Sequence, residues 1–279
     1  MSVLTINKLT DSVGAEVVGL DPARLGSDDL LAESILDALE HNGVLVFRGL
    51  NLAPEAQVEF CRRLGAIDHS SDGHHPVAGI YPITLDKSKN ASAAYLKATF
   101  DWHIDGCTPL ADECPQKATV LSALQVAQRG GETEFANSYA AYDALSDKEK
   151  ERYGSLRVVH SLEASQRRVH LDPSPELLAR WRSRPTHEHP LVWTHRTGRK
   201  SLVLGASADY VVGMDLDEGR ALLAELLDHA TGTIYSHKWT VGDTVIWDNR
   251  GVLHRAAPYE PNSQREMLRT TVLGDEPIE

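Results

Sequence analysis

Two residues apart in the run Thr99-Phe100-Asp101-Trp102-His103-Ile104-Asp105-Gly106, His103 and Asp105 bring an imidazole and a carboxylate within reach of one cavity. The histidine that could complete the set, His254, lies more than half the chain away. A fold that joins them must lay distant strands side by side. Read as a strand, the run sends side chains i and i+2 to one face, so His103 and Asp105 point together while Ile104 faces the opposite layer. A double-sheet jelly roll closes such a distance and keeps an interior cavity between its sheets. With 13 histidines and 40 acidic residues in the chain, an isolated His-x-Asp pair carries little weight without its downstream partner.

At 279 residues and 42% hydrophobic composition, the chain can bury one large core, and we expect a single domain over residues 1–279. The net charge of −12 argues against nucleic acid or an anionic membrane surface as the main partner, since either calls for a basic patch. No apolar run approaches the ~20 residues of a spanning helix, and Met1-Ser2-Val3-Leu4 lacks the basic and apolar regions of a signal peptide. We expect a cytoplasmic homo-oligomer, dimer or tetramer. Cys61, Cys107 and Cys114 are too scattered for a disulfide framework or a zinc knuckle and read as reduced packing thiols.

The amino-terminal part, about residues 1–66, alternates strand and helix. Residues 13–20 read as a strand. Leu31, Ile35, Leu36 and Leu39 recur at helical spacing up to Asn42-Gly43, Val44 to Arg48 is a buried strand, and Pro54 opens a second helix. From about 67 to 98 the pattern breaks into loops such as Ser70-Ser71-Asp72-Gly73, with one strand at Val77 to Leu85; we read a lid here. Ala118 to Val126 is a strand, and the turn Gln128-Arg129-Gly130-Gly131 should fold Glu132 to Phe135 back on it as a hairpin. Helices follow near Ser138–Leu145 and Asp147–Tyr153, then a strand at Leu156–Leu162. About 163–189 is an insertion with a short helix at Glu176–Arg182. Apart from a helix at Asp217–His229, the last third is short strands, which makes the fold mainly β with flanking helices, a double-stranded β-helix or jelly roll.

His254 stands on the strand Val252–Ala256, after a turn Asp248-Asn249-Arg250 whose Asp and Asn cap local backbone groups. Two histidines and one carboxylate on one side of an ion leave the opposite positions open, the arrangement of non-haem Fe(II) oxygenases. Arg265 and Arg269 sit four apart on or just before the last strand and can share a face. Two interior guanidiniums in an acidic protein call for anionic ligands, since the fork matches a carboxylate in two parallel hydrogen bonds. Two other classes stay open on these residues alone. A Zn-dependent hydrolase can use two histidines and an aspartate, but it wants a general base and gives the arginines no role. A non-catalytic jelly-roll binding module would use the polar residues for structure.

Taken in order, His103-x-Asp105, Gly130-Gly131-Glu132-Thr133, Trp247-Asp248-Asn249-Arg250, His254, Arg265 and Arg269 resemble the Fe(II)- and 2-oxoglutarate-dependent dioxygenases related to taurine dioxygenase and dichlorophenoxyacetate dioxygenase, over about Gly14 to Leu273. The resemblance implies that His103, Asp105 and His254 bind Fe(II), that Thr133 and Arg265 hold the distal carboxylate of 2-oxoglutarate, and that Arg269 faces the acidic end of a small anionic substrate. It implies hydroxylation with dioxygen (O2), giving succinate and CO2. Where the oxidised carbon bears an ether oxygen or a sulfonate, the product fragments. The chain departs from the taurine enzyme at Thr99, where an asparagine is expected, and offers only His69, His74 or His75 for its sulfonate-binding histidine, which argues against taurine itself. The His160-Ser161-Leu162 region looks closer to the aryloxyalkanoate-cleaving members.

Overall fold

The strand Thr244–Asp248 is buried along its whole length, and the larger sheet grows outward from it. In the computed structural model, which describes residues 4–70, 74–108 and 114–279, it pairs antiparallel with Val44–Phe47 on one side and Ala118–Gln125 on the other. Glu266–Val272 and then Tyr81–Ile83 continue the sheet past Ala118–Gln125. Ala15–Val18, parallel to Val44–Phe47, and Thr5–Lys8 finish the opposite side. A smaller sheet holds Ile234–His237, Thr133–Asn137 and Val252–Ala256 in that order.

Strand alternation sorts the side chains between two layers. Val44, Val46, Val245 and Trp247 meet Phe135 and Val252 of the smaller sheet. Leu45, Phe47, Val120 and Ile246 turn the other way, toward Ile35 and Leu39 of the helix Asp29–Asn42 and Phe60 and Cys61 of the helix Pro54–Leu64. Covered on both faces, the central strands are buried at nearly every position, and their apolar stretches therefore do not alternate with exposed polar residues. The result is the expected jelly roll, mainly β with flanking helices. Among the described residues, no helix is long and apolar enough to cross a membrane.

The structure corrects several local expectations. The run around His103 is not a strand: Tyr95–Phe100 is a 3₁₀ helix, His103 makes only an isolated bridge to His254, and Asp105 lies in the turn beyond. Ala118–Gln125 and Thr133–Asn137 form no hairpin. Both edges of the first are already occupied, by Thr244–Asp248 and Glu266–Val272, so the Gln128–Gly131 turn must carry the chain into the other sheet. The strand expected at 77–85 shortens to Tyr81–Ile83, and part of the Ser70-Ser71-Asp72-Gly73 loop lies outside the described residues. The 163–189 segment is more ordered than an insertion with one helix. Helices Leu162–Arg167 and Pro175–Arg182 pack together, and His187–Pro190 pairs with Arg157–His160.

His160 and His195 are buried in the core, and burial above all pulls them down, to about 3 and about 4. In the unfolded chain each takes up a proton near ~6.5. Because the folded pKa values are depressed, the stability held by the neutral rings is complete above that value and is lost as pH falls toward the folded values. Urea unfolding of the metal-free protein should give a lower free energy at pH 5 than at pH 7, by on the order of 2 kcal/mol for each such histidine. A flat profile across that interval would mean that the rings are protonated in the folded state.

Candidate active site

Two backbone hydrogen bonds, His103 N–H to His254 O (3.0 Å) and His254 N–H to His103 O (2.9 Å), fasten the His103 segment to the edge of the smaller sheet. This paired register sets the two imidazoles with ring centroids 4.1 Å apart. Gly205 backs the arrangement: at φ 115°, its position could not take a Cβ, which would lie 2.9 Å from His103 Cα and 2.8 Å from the Trp102 carbonyl oxygen. From the following turn Asp105 reaches in, with Oδ1 3.8 Å from His103 Nε2 and Oδ2 3.7 Å from His254 Nε2. Three donor atoms, one from each residue, lie within 4.8 Å of one another. Each His–Asp edge is shorter than two metal–ligand bonds of ~2.1 Å, so one ion can bridge it.

Protonation suits a divalent cation as well. His103 Nδ1 lies 2.8 Å from the Asp101 carbonyl, which only accepts, so Nδ1 carries a proton and Nε2 is the ring atom that faces Asp105 and can meet a metal. Burial opposes the Asp105 charge, but His254, Arg269 and His103, with a hydrogen bond from Thr119, bring its carboxyl below the ordinary range. Burial, with His103 beside it, drives His254 down to about 3. At neutral pH the set therefore offers an anionic carboxylate and a neutral His254, as metal binding requires. The donor set fits Fe(II), which accepts imidazole and carboxylate together.

The two arginines do not behave alike. Arg265 is only 3% exposed; its Nε donates to the Gly131 carbonyl (3.2 Å) and its guanidinium lies 4.7 Å from the Tyr259 ring centroid. Burial pulls it below its ordinary value, against the opposing effect of Tyr259 and Glu132. It forms no ion pair among the described residues, so a buried cation is left facing a place for an anion. The left-handed Gly131, at φ 78°, makes this possible: a Cβ would stand 2.9 Å from Arg265 Cδ. Thr133 Oγ1 accepts from Trp239 Nε1 (3.0 Å), and Trp239 and Arg265 line one small cavity with Gly131. An indole N–H can only donate, so the Thr133 hydroxyl proton remains available for an anion. Arg265 and Thr133 thus each keep a donor of the kind a carboxylate accepts from.

Arg269 is half-buried and also without an ion pair among the described residues; its guanidinium stands 5.1 Å from the Tyr81 ring centroid, and its charge is felt at both Asp105 and His254. His74 packs edge-on against the same tyrosine at 5.2 Å. Thr99, by contrast, donates its hydroxyl to the Leu96 carbonyl (2.6 Å), within its own 3₁₀ helix.

Residues 5–271 match the family described as taurine catabolism dioxygenase TauD, TfdA family. The chain belongs to this family. It is 36% identical to the alpha-ketoglutarate-dependent 2,4-dichlorophenoxyacetate dioxygenase of Cupriavidus pinatubonensis, with 95% of each chain covered. It is 33% identical to the (S)-phenoxypropionate/alpha-ketoglutarate-dioxygenase of Sphingobium herbicidovorans, over 97% of this chain and 95% of that one. Among solved structures, AAD-2 in complex with Mn(II) and N-oxalylglycine is similar at a TM-score of 0.82 and 31% identity, covering 99% of both chains. The protein is thus an alpha-ketoglutarate-dependent dioxygenase, an oxidoreductase that takes Fe(II) as cofactor and 2-oxoglutarate as co-substrate. The Zn hydrolase and the non-catalytic module are set aside.

Sequence reasoning missed Tyr81, Tyr259 and Trp239, the aromatic rings that border the arginines and Thr133. Their only signal was an aromatic residue near each candidate. It also read Asp248-Asn249-Arg250 as a structural turn and, with Trp247, as a family motif, without giving Asn249 a role in the site. The turn is there, with Arg250 N–H and Nε both donating to Asp248 Oδ1 (3.0 and 2.8 Å), but the Asn249 side chain donates to Thr119 Oγ1, which itself donates to Asp105.

Proposed function

We propose that His103, Asp105 and His254 hold the Fe(II), that Thr133 and Arg265 grip the distal carboxylate of 2-oxoglutarate, and that Arg269 receives the anionic end of a small organic substrate, within a single dioxygenase domain. Substrate hydroxylation would accompany release of succinate and CO2. The observation that carries this reading is a His-Asp-His set whose Asp105 and His254 feel the charge of Arg269, together with a buried Arg265, neither guanidinium having an ion pair among the described residues. An aryloxyalkanoate is the first candidate, because both relatives named above act on phenoxy acids; sulfonates and alkyl sulfates present an anion of similar reach.

When bound, Fe(II) and 2-oxoglutarate together activate dioxygen and supply the oxidant. The chain's own residues supply position. Arg265 and Thr133 fix one end of the co-substrate, and Tyr259, with Phe100 edge-on against it at 5.7 Å, shields that end from water. Arg269, steadied on Tyr81, holds the substrate anion within electrostatic reach of Asp105 and His254, so that a C–H bond can be aimed at the metal set. If the carbon beside an ether oxygen is hydroxylated, the resulting hemiacetal collapses: its C–O bond to the aryl oxygen breaks, the hydroxyl proton passes to the departing phenol, and the acid fragment keeps a new carbonyl.

Succinate formation across phenoxyacetate, phenoxypropionate, an alkyl sulfate and an alkanesulfonate tests the substrate class. Stimulation by none of them would overturn it. The Arg269→Ala variant should keep slow conversion of 2-oxoglutarate to succinate without substrate and lose the stimulation that substrate gives, whereas Arg265→Ala should lower both rates. Equal losses in the two variants would show that the arginines serve one ligand.

A further inference from the structure

Asp105 is the least constrained of the three proposed ligands, because it comes from a turn while His103 and His254 are locked by a mutual pair of backbone hydrogen bonds. Its Oδ2 accepts from the Thr119 hydroxyl at 3.0 Å. Thr119 in turn accepts from the Asn249 side-chain amide at 2.9 Å. A hydroxyl has one proton to give, and the Asn249 N–H occupies a lone pair of Thr119 Oγ1, so that proton is directed to Asp105. Both relay residues are wholly buried, and both are held by the larger sheet. Thr119 lies opposite Trp247 and Thr271 in its two ladders, and Asn249 N–H donates to the Lys117 carbonyl at 3.0 Å.

From this we infer that Asn249 and Thr119 are positioning residues for the metal centre: they pin one oxygen of Asp105 to the rigid sheet and so fix the plane in which the carboxylate meets the two imidazoles. A carboxylate free to rotate would offer both oxygens to the ion and take up coordination space that co-substrate and dioxygen need. Held through Oδ2, it is presented in one orientation. Hydrogen-bond partners of a metal's ligands act in this way generally, and their loss costs roughly 10–100-fold in metal affinity. The inference rests on the reading of Asp105 as a metal ligand.

Calorimetric titration of the metal-free protein with Mn(II), in the absence of 2-oxoglutarate and substrate, separates the two ideas. Wild-type protein should bind one Mn(II), and His103→Ala should lose it; failure of that step would remove the metal reading itself. Given that it holds, Thr119→Val, which keeps shape and deletes the hydroxyl, should bind Mn(II) roughly 10–100-fold more weakly, and Thr119→Ser should stay within about threefold of wild type. Asn249→Ala should weaken binding in the same direction by a smaller factor. A merely structural role would lower the melting temperature of Thr119→Val and leave the Mn(II) affinity of its folded fraction unchanged, which would overturn the relay. If Thr119→Val does not fold, Asn249→Ala decides, and wild-type affinity there overturns it equally.

Discussion

Alanine at His103 or at His254 should reduce Fe(II)-dependent succinate formation to background while leaving a folded protein. Either change removes one of three donors whose atoms lie within 4.8 Å of one another, and the remaining imidazole–carboxylate pair is a weak site for a divalent ion. The fold should survive, because the strand Val252–Ala256 keeps its ladder to Thr133–Asn137 and its neighbour Leu253 keeps its place in the core. The loss of the buried His254 ring or the partly buried His103 ring should cost roughly 0.5–3 kcal/mol, the ordinary range for one substitution. Circular dichroism and a urea melt check the fold, and calorimetry with Mn(II) checks the metal. Turnover at the wild-type rate in either variant would remove both histidines from the centre.

The elements that were legible in the sequence are those whose own residues decide them. The helix Asp29–Asn42 carries its cap, Asp28, accepting from Leu31 N–H at 3.0 Å, and its apolar stripe in order. The strands Val44–Phe47 and Thr244–Asp248 are buried throughout, with apolar residues at Val44–Phe47 and Val245–Trp247, because both faces are covered. What was misread depends on partners far along the chain. Ala118–Gln125 followed by a glycine turn and Thr133–Asn137 looks like a hairpin from within. Only the arrival of Thr244–Asp248 and Glu266–Val272 on both edges forbids it. Thr5–Lys8 escaped notice because every residue in it is exposed, leaving no alternation to read.

For the site, residue chemistry was more informative than local geometry. His103, Asp105 and His254 do converge, but strand alternation is not the cause; a bridge joins His103 to His254, and the turn beyond brings in Asp105. Arg265 and Arg269 could be singled out because two aligned arginines in an acidic chain call for anions, whereas Thr133 entered only through the family resemblance of Gly130-Gly131-Glu132-Thr133. Thr119 could not, since a threonine in a β-strand is ordinary and only its 3.0 Å bond to Asp105 distinguishes it. Gly131 explains a motif that sequence alone could only match: its missing Cβ is the space that Arg265 Cδ occupies.

Arg265→Ala should raise the 2-oxoglutarate concentration needed for half-maximal succinate formation far more than that of the substrate. A buried guanidinium that meets a carboxylate forms charge-assisted, paired hydrogen bonds, and truncation of one partner costs about 2–5 kcal/mol, hence about thirtyfold or more in affinity. Lysine should recover only part of it, since a point charge replaces the fork that also donates to the Gly131 carbonyl. Stability should move the other way. Without co-substrate, Arg265 is a desolvated cation lacking an ion pair among the described residues, so its removal should leave the ligand-free melting temperature unchanged or higher. Added 2-oxoglutarate should then stabilise the wild type strongly and the variant hardly at all. A melting curve of Arg265→Ala that responds to 2-oxoglutarate as the wild type does would show that the co-substrate carboxylate is held elsewhere.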